Sequence, residues 1–183
     1  MEVRSLAIPE VKLIIPRRFG DERGYFEQTY HQHDYKAAGI DADFVQDNHS
    51  KSAAGVLRGL HYQRHHPQAK LVSVLSGSVF DVAVDLRQSS PFFGQWVGAE
   101  LSSENGHQLF VPAGFAHGFL VQSEEVNFYY KCDAYYASGD EVCVRWDDPD
   151  LAIDWPRPCE FSLSKKDLAG EFLADISSEK LFD

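Results

Sequence analysis

The hydrophobic positions of this chain fall in short runs, each a few residues long and closed by turn-forming residues. Val11–Ile15, Leu71–Leu75, Val79–Leu86, Trp96–Leu101, Gln108–Val111, Phe119–Gln122 and Val126–Cys132 are alternating or apolar. Gly, Pro, Asn and Ser interrupt them at Ser76–Gly77, Ser89–Pro91, Glu104–Gly106 and Pro112–Gly114. Many short strands at such spacing predict an all-β sandwich or barrel. Helical signals are weak and peripheral. His31–Ala38 predicts a short helix stopped by Gly39, which suits a left-handed cap. Ser164 predicts the cap of a second helix, Lys165–Leu173, with Asp167 near its positive end. No repeat, low-complexity tract or linker divides the chain, so residues 1–183 are expected to form one domain.

Two stretches put polar side chains where a plain core would not. In Val79–Leu86, Phe80, Val82, Val84 and Leu86 share one face, and Val79, Asp81, Ala83 and Asp85 the other. The second face fits either solvent or a polar barrel interior. The segment FVQDNHSKSAAGVLRGLHYQ, Phe44–Gln63, sets Gln46, Asp47, Asn48, His49, Arg58, His61, Tyr62 and Gln63 among Val and Leu. That array offers donors, a fixed cation and an imidazole, whose ordinary pKa of about 6.5 suits proton transfer near neutrality. It points to a site for an anionic, hydroxyl-rich small molecule, with His61 as proton acceptor. Arg58 and His61 have opposite parity, so a regular strand sends them to opposite faces. If both touch one ligand, a bulge is required, and Gly59 is where one is expected.

Composition then removes several function classes. The net charge of −11 argues against general nucleic-acid binding. An anionic substrate must instead be captured by local cations, for which Arg17, Arg18, Arg23, Arg58, Lys70 and Arg87 are candidates. No apolar run approaches the roughly 20 residues of a membrane helix, and the amino terminus lacks the pattern of a secretory signal. Cys132, Cys143 and Cys159 are odd in number and form no CxxC pair, which predicts neither a disulfide framework nor zinc and fits a reducing cytoplasm. The sequence carries no GxGxxG fingerprint of a dinucleotide site.

The segment VPAGFAHGF, Val111–Phe119, places a histidine after a Pro–x–Gly turn and resembles the second motif of the cupin superfamily. The matching first motif, His61–Tyr62–Gln63, lacks the second histidine of the metal-dependent members, so no metal is expected. Taken singly, either His61 or His117 reads as a hydrogen-bonded core residue. The polar cluster turns the balance toward chemistry for His61 and leaves His117 even. NFYYKCDAYY supplies tyrosines that usually pack, although a phenol of pKa about 10 can reprotonate an enolate. Asp167 reads locally as a helix-start acid. Its alternative role, orienting the imidazole of His61, needs a contact that the sequence does not show.

FGDERGYFEQTY (Phe19–Tyr30), QDNHSKS (Gln46–Ser52), GVLRGLHYQ (Gly55–Gln63), KLVSVLSGSVFDVAVDLR (Lys70–Arg87), VPAGFAHGF, YYKCDAYY and SKKD closely resemble the dTDP-4-dehydrorhamnose 3,5-epimerase family. The resemblance implies a cupin-type jelly roll with short peripheral helices, metal-free and without cofactor, working as a homodimer with an exchanged N-terminal strand. It implies dTDP-4-dehydro-6-deoxy-D-glucose as substrate, converted toward the L-rhamnose precursor. By motif matching, His61 corresponds to the base, Asp167 to its partner, Tyr130 to the acid on the opposite sugar face and Lys70 to the group beside the carbonyl oxygen. Gln46, Asn48, Arg58, His117, Tyr136 and Glu141 match substrate- or nucleotide-contacting positions. Phe19, Arg23, Phe26 and Glu27 match a segment that reaches the nucleotide, in the family partly from the partner subunit. RHHPQAK, Arg64–Lys70, departs from the usual glycine-containing linker beside Lys70. Competing readings are a single-position epimerase of a related keto-sugar, a non-catalytic sugar-nucleotide-binding cupin and a metal-dependent dioxygenase, the last disfavoured by the missing ligand.

Overall fold

The computed structural model describes residues 1–156 and 160–183, and Cys159 lies outside them. Glu2–Ser5 (β1), Lys12–Ile15 (β2), the hairpin of Arg18–Asp21 (β3) and Gly24–Glu27 (β4), and the helix Gln32–Ala37 (α1) come first. Then follow Gln46–Ala53 (β5), Leu57–Gln63 (β6), Lys70–Ser76 (β7), Ser78–Asp85 (β8), Trp96–Ser102 (β9) and Gln108–Val111 (β10). Phe115–Val121 (β11), Glu125–Cys132 (β12), Glu141–Cys143 (β13) and the helix Lys165–Leu168 (α2) complete the pattern, with two 3₁₀ turns near the end.

The strands form a six-stranded sheet, β1-β2-β10-β7-β12-β5, and a five-stranded sheet, β13-β6-β11-β8-β9. All their pairs are antiparallel. Alternation decides what lies between them. Val72, Val74, Leu109, Val111 and Phe128 of the larger sheet meet Val79, Ala83, Val97, Phe115 and Phe119 of the smaller in one buried cluster. The outer face of the five-stranded sheet, with Val82, Val84, Leu86, Leu60 and Tyr62, is covered by Leu151, Trp155, Ile176, Leu181 and Phe182. Ile14, Leu71 and Phe110 on the outside of the six-stranded sheet are covered by Tyr35 and Ile40. This double-sheet antiparallel architecture is the jelly-roll arrangement expected.

The parity question in β8 resolves to the interior: Asp81 and Asp85 are both fully buried. Helix α1 begins at the His31 cap, and Gly39 has φ +81°, the left-handed conformation its position predicts. Three expectations need correction. Helix α2 stops at Leu168 instead of Leu173, because Glu171 bridges to Val144 and exchanges backbone bonds of 3.0 and 2.9 Å with Cys143 and Arg145. A Cβ on Gly170 would lie 3.1 to 3.2 Å from Cys143 and Arg145 atoms, so this strand-like pairing requires close approach. Strand β11 starts at Phe115, four residues before the expected Phe119, so His117 sits within a strand. The β3–β4 hairpin and β13 were not marked by any apolar run.

Candidate active site

Side chains in register on neighbouring strands share a face. In the five-stranded sheet, His61 pairs with His117 and with Cys143, and Arg58 pairs with Phe119. His117 and Phe119 are two apart on β11 and therefore face the same way. Arg58 and His61 are three apart on β6, and they share that face because the register shifts between their partners. Gly59 and Leu60 together oppose Gly118, which is the bulge the sequence requires at Gly59. Gly59 has φ +123°, and a Cβ there would come within 2.6 Å of the Gly118 Cα. Tyr62, by contrast, points outward and donates to the Lys180 carbonyl at 2.9 Å.

The opposite wall comes from the six-stranded sheet, where Tyr130 lies between Val72 and Asn48, and Cys132 between Lys70 and Gln46. Asp47 and His49 of β5 take the other parity. Asp47 pairs with Lys131 at 2.9 Å and His49 contacts Asn127 at 3.1 Å. A cleft of about 650 Å³ between the walls is lined by Arg58, His61, His117, Lys70, Tyr130 and Asn48. A smaller pocket that shares His61, Lys70 and Tyr130 reaches Tyr136 and Glu141.

His61 Nε2 lies 2.6 Å from Asp167 Oδ1. The other Asp167 oxygen accepts from Ser164 Oγ at 2.6 Å, and the Ser164 side chain caps α2 in return. Burial alone would raise the Asp167 pKa, but the bonds from His61 and Ser164 outweigh it and bring it down to about 2. Asp167 is thus both the capping-box acid and the imidazole's partner; the two roles read from sequence coincide. With Nε2 engaged, Nδ1 is the nitrogen left to take a proton, and Glu141 Oε1 stands 3.5 Å from it.

The Lys70 ammonium is enclosed by protein at the cleft wall; burial pushes its pKa down, and Cys132, Glu141 and Asp81 oppose that shift. Burial likewise pushes the Tyr130 phenol up to about 12, which keeps it protonated as a donor. Deeper in the same wall as His61, His117 Nε2 lies 2.8 Å from Asp81 Oδ1. Arg58 is braced by Ser52 Oγ at 3.0 Å. Gln46 lines neither cavity. It bonds Asn48 Oδ1 at 3.1 Å and accepts from the Tyr136 amide at 2.9 Å, so it positions two neighbours that do.

Phe19, Arg23, Phe26 and Glu27 do not join this site within the chain. They belong to the β3–β4 hairpin, where Phe19 and Phe26 are 52% and 68% exposed. Arg23 pairs with Asp21, and Glu27 with Arg18 at 2.5 Å. Conversely, sequence reasoning overlooked Lys166, which lines the cleft and pairs with Glu141. The signal was present in SKKD, where Lys166 immediately precedes Asp167.

His61, Cys143 and Asp167 place potential ligand atoms within 4.8 Å of one another. They fit a metal poorly. His61 Nε2 is already held by Asp167, and burial with Asp167 nearby pushes the Cys143 thiol up to about 12, far from the thiolate a metal needs.

A double-sheet antiparallel jelly roll, with a histidine–carboxylate dyad facing a lysine and a phenol across a polar cleft, is the architecture of the cupin superfamily. The profile of the family described as dTDP-4-dehydrorhamnose 3,5-epimerase matches residues 5–175. A Pseudomonas aeruginosa protein of that name is 54% identical over 176 residues, covering 96% of this chain and 97% of its own. The crystal structure of the Legionella pneumophila dTDP-6-deoxy-D-glucose-3,5-epimerase in complex with dTDP-4-keto-L-rhamnose has a TM-score of 0.97 at 50% identity, covering 99% and 97% of the two chains. A 3'-monoepimerase from Streptomyces bikiniensis, with dTDP-quinovose bound, has a TM-score of 0.87 at 32% identity, covering 93% and 87%. The chain belongs to the dTDP-4-dehydrorhamnose 3,5-epimerase family and is an isomerase.

Proposed function

We propose that this protein inverts C-3 and C-5 of dTDP-4-dehydro-6-deoxy-D-glucose through His61, Asp167, Lys70 and Tyr130. The observation that carries this reading is the 2.6 Å His61–Asp167 contact in one wall of a cleft whose other wall holds Tyr130 and Lys70. In a 4-keto-sugar, both carbons flank the carbonyl, and their protons are acidified as negative charge moves onto the oxygen. His61 removes a proton through Nδ1, while Asp167 fixes the Nε2–H tautomer and stabilises the imidazolium that forms. Lys70 supplies a preorganised cation to the enolate oxygen. Tyr130 returns a proton from the opposite face, which inverts the centre.

Arg58 and Lys166 are the cations of the cleft suited to diphosphate oxygens, with Asn48, His117, Tyr136 and Glu141 as further substrate contacts. Phe19, Arg23, Phe26 and Glu27 act on the nucleotide of a partner subunit in a homodimer; the exposure of Phe19, Arg23 and Phe26 on a hairpin that lines neither cavity supports that arrangement. The chain works as one domain in the cytoplasm, without metal or cofactor; among the described residues no helix is long and apolar enough to cross a membrane. The likeness to a monoepimerase keeps inversion at one carbon as the second reading.

Proton NMR of the substrate incubated with the protein in deuterated water tests both. Deuterium at C-3 and C-5, with the inverted product trapped by a reductase, is expected. Exchange at a single carbon would establish the narrower activity, and saturable binding without exchange would refute catalysis on this substrate.

A further inference from the structure

The proposed chemistry uses one histidine–carboxylate pair, yet the cleft wall contains two, on directly paired residues of adjacent strands. The second, His117–Asp81, is the deeper one: Asp81 is fully buried and His117 nearly so. His117 Nε2 meets Asp81 Oδ1 at 2.8 Å, and the imidazole lies in stacked orientation beside Phe128, 6.3 Å between ring centroids. Asp81 Oδ2 is buried and has no hydrogen-bond partner among the described residues. Such an oxygen is costly, and a fold that needed only packing at this position would be better served by an apolar side chain. Val79 and Ala83, which flank Asp81 on the same face of β8, are of that kind.

We propose that Asp81 is a positioning residue of the epimerase site: it holds His117 in the Nε2–H form and keeps a negative charge beneath the cationic floor of the cleft. This rests on the function proposed above. A carboxylate accepts only, so an ionised Asp81 makes Nε2 the donor and leaves Nδ1 of His117 as an acceptor for a substrate hydroxyl. Burial favours the neutral form of Asp81, but His117 and Lys70 favour the charged one, and a protonated second oxygen would have no acceptor among the described residues. Lys70 lines the same cleft as His117, and the charge of Asp81 opposes the burial that drives Lys70 toward its neutral form, together with Cys132 and Glu141. Asp81 thereby helps to keep charged the ammonium on which the enolate depends.

Asp81→Asn separates this role from packing, since it preserves shape and removes the charge. The expected result is a fall in kcat of about 10- to 100-fold, as for lost orienting partners elsewhere, with KM within about threefold of wild type and a Tm equal or higher because the desolvation cost of a buried charge is removed. An unchanged kcat would overturn the proposal. So would a lowered Tm or failure to fold, which would make the carboxylate structural. Nitrogen-15 NMR of His117 in the free wild-type protein gives a second, substrate-independent test. A protonated Nε2 is expected, and an unprotonated Nε2 facing a protonated Asp81 would overturn the proposal. Absence of turnover in the wild type would instead count against the proposed function, leaving the tautomer measurement to decide this point.

Discussion

The His61–Asp167 and His117–Asp81 pairs use the same two atom types at 2.6 and 2.8 Å, but their carboxylates live in opposite environments. Asp167 comes from the start of a short helix, and both its oxygens accept hydrogen bonds from outside its own side chain. Its bonds outweigh burial, and its pKa falls to about 2. Asp81 comes from mid-strand, with one oxygen bonded and one bare, and burial raises its pKa despite His117 and Lys70. The comparison teaches that an imidazole–carboxylate contact does not specify a role. The other bonds on the carboxylate set the direction of its shift: bonds to both oxygens bring Asp167 down, whereas one bare buried oxygen leaves Asp81 raised.

The largest expected effect separates the two imidazoles. His61→Ala should lower turnover by about 10²–10⁴-fold with nucleotide binding retained, as for loss of a general base, whereas His117→Ala should cost about tenfold and raise KM as well. Steady-state kinetics on both variants checks this; equal losses would erase the distinction. Tyr130→Phe removes the acid of the facing wall. Deuterium should then still enter from solvent, returned by His61 to the face it left, while inversion falls further than exchange. Parallel loss of both would deny Tyr130 its role.

Acid denaturation should separate the carboxylates by sign. Asp167 has a folded pKa below its ordinary 3.8, so its contribution is complete above about pH 4 and is lost as the pH falls toward about 2. A shift of that size corresponds to about 2 kcal/mol. Asp81 has a raised folded pKa, so its ionisation costs stability and acid relieves that cost. Urea melts of Asp167→Asn should show a flatter acid limb than wild type; an unchanged limb would mean that the dyad is not the group that titrates. The smallest effect is expected of Ser164→Ala, which removes the cap and one bond to Asp167. A loss of about 1 kcal/mol is typical of a cap, or about 2–4 °C in Tm at this size, readable by calorimetry.

Much of the sandwich was legible because its strands are short apolar or alternating runs closed by turn residues, from β12, with buried Val126 and Phe128 two apart, to β10, buried throughout. The β3–β4 hairpin escaped because its aromatic residues are exposed and bury no face in this chain. Helix α2 was overextended, since its local propensity carries no trace of the bridge between Glu171 and Val144. At the site, parity arithmetic on Arg58 and His61 located the bulge. The His61–Asp167 contact spans 106 residues of sequence and was reachable only through family resemblance. The bond from the Tyr136 amide to Gln46 spans 90 residues of sequence and leaves no local trace.

The bulge at Gly59 also bears on how this gene can change. Along a strand, facing is a binary phase, and the doubled count opposite Gly118 resets that phase between Arg58 and His61. Removing one codon at 59 or 60 would restore an uninterrupted ladder with every backbone bond available. Arg58 and His61, then two apart in a regular strand, would still share the cleft face. A one-residue insertion or deletion elsewhere in β6, where no bulge absorbs it, would instead reverse the facing of every residue beyond it and is expected to be purged.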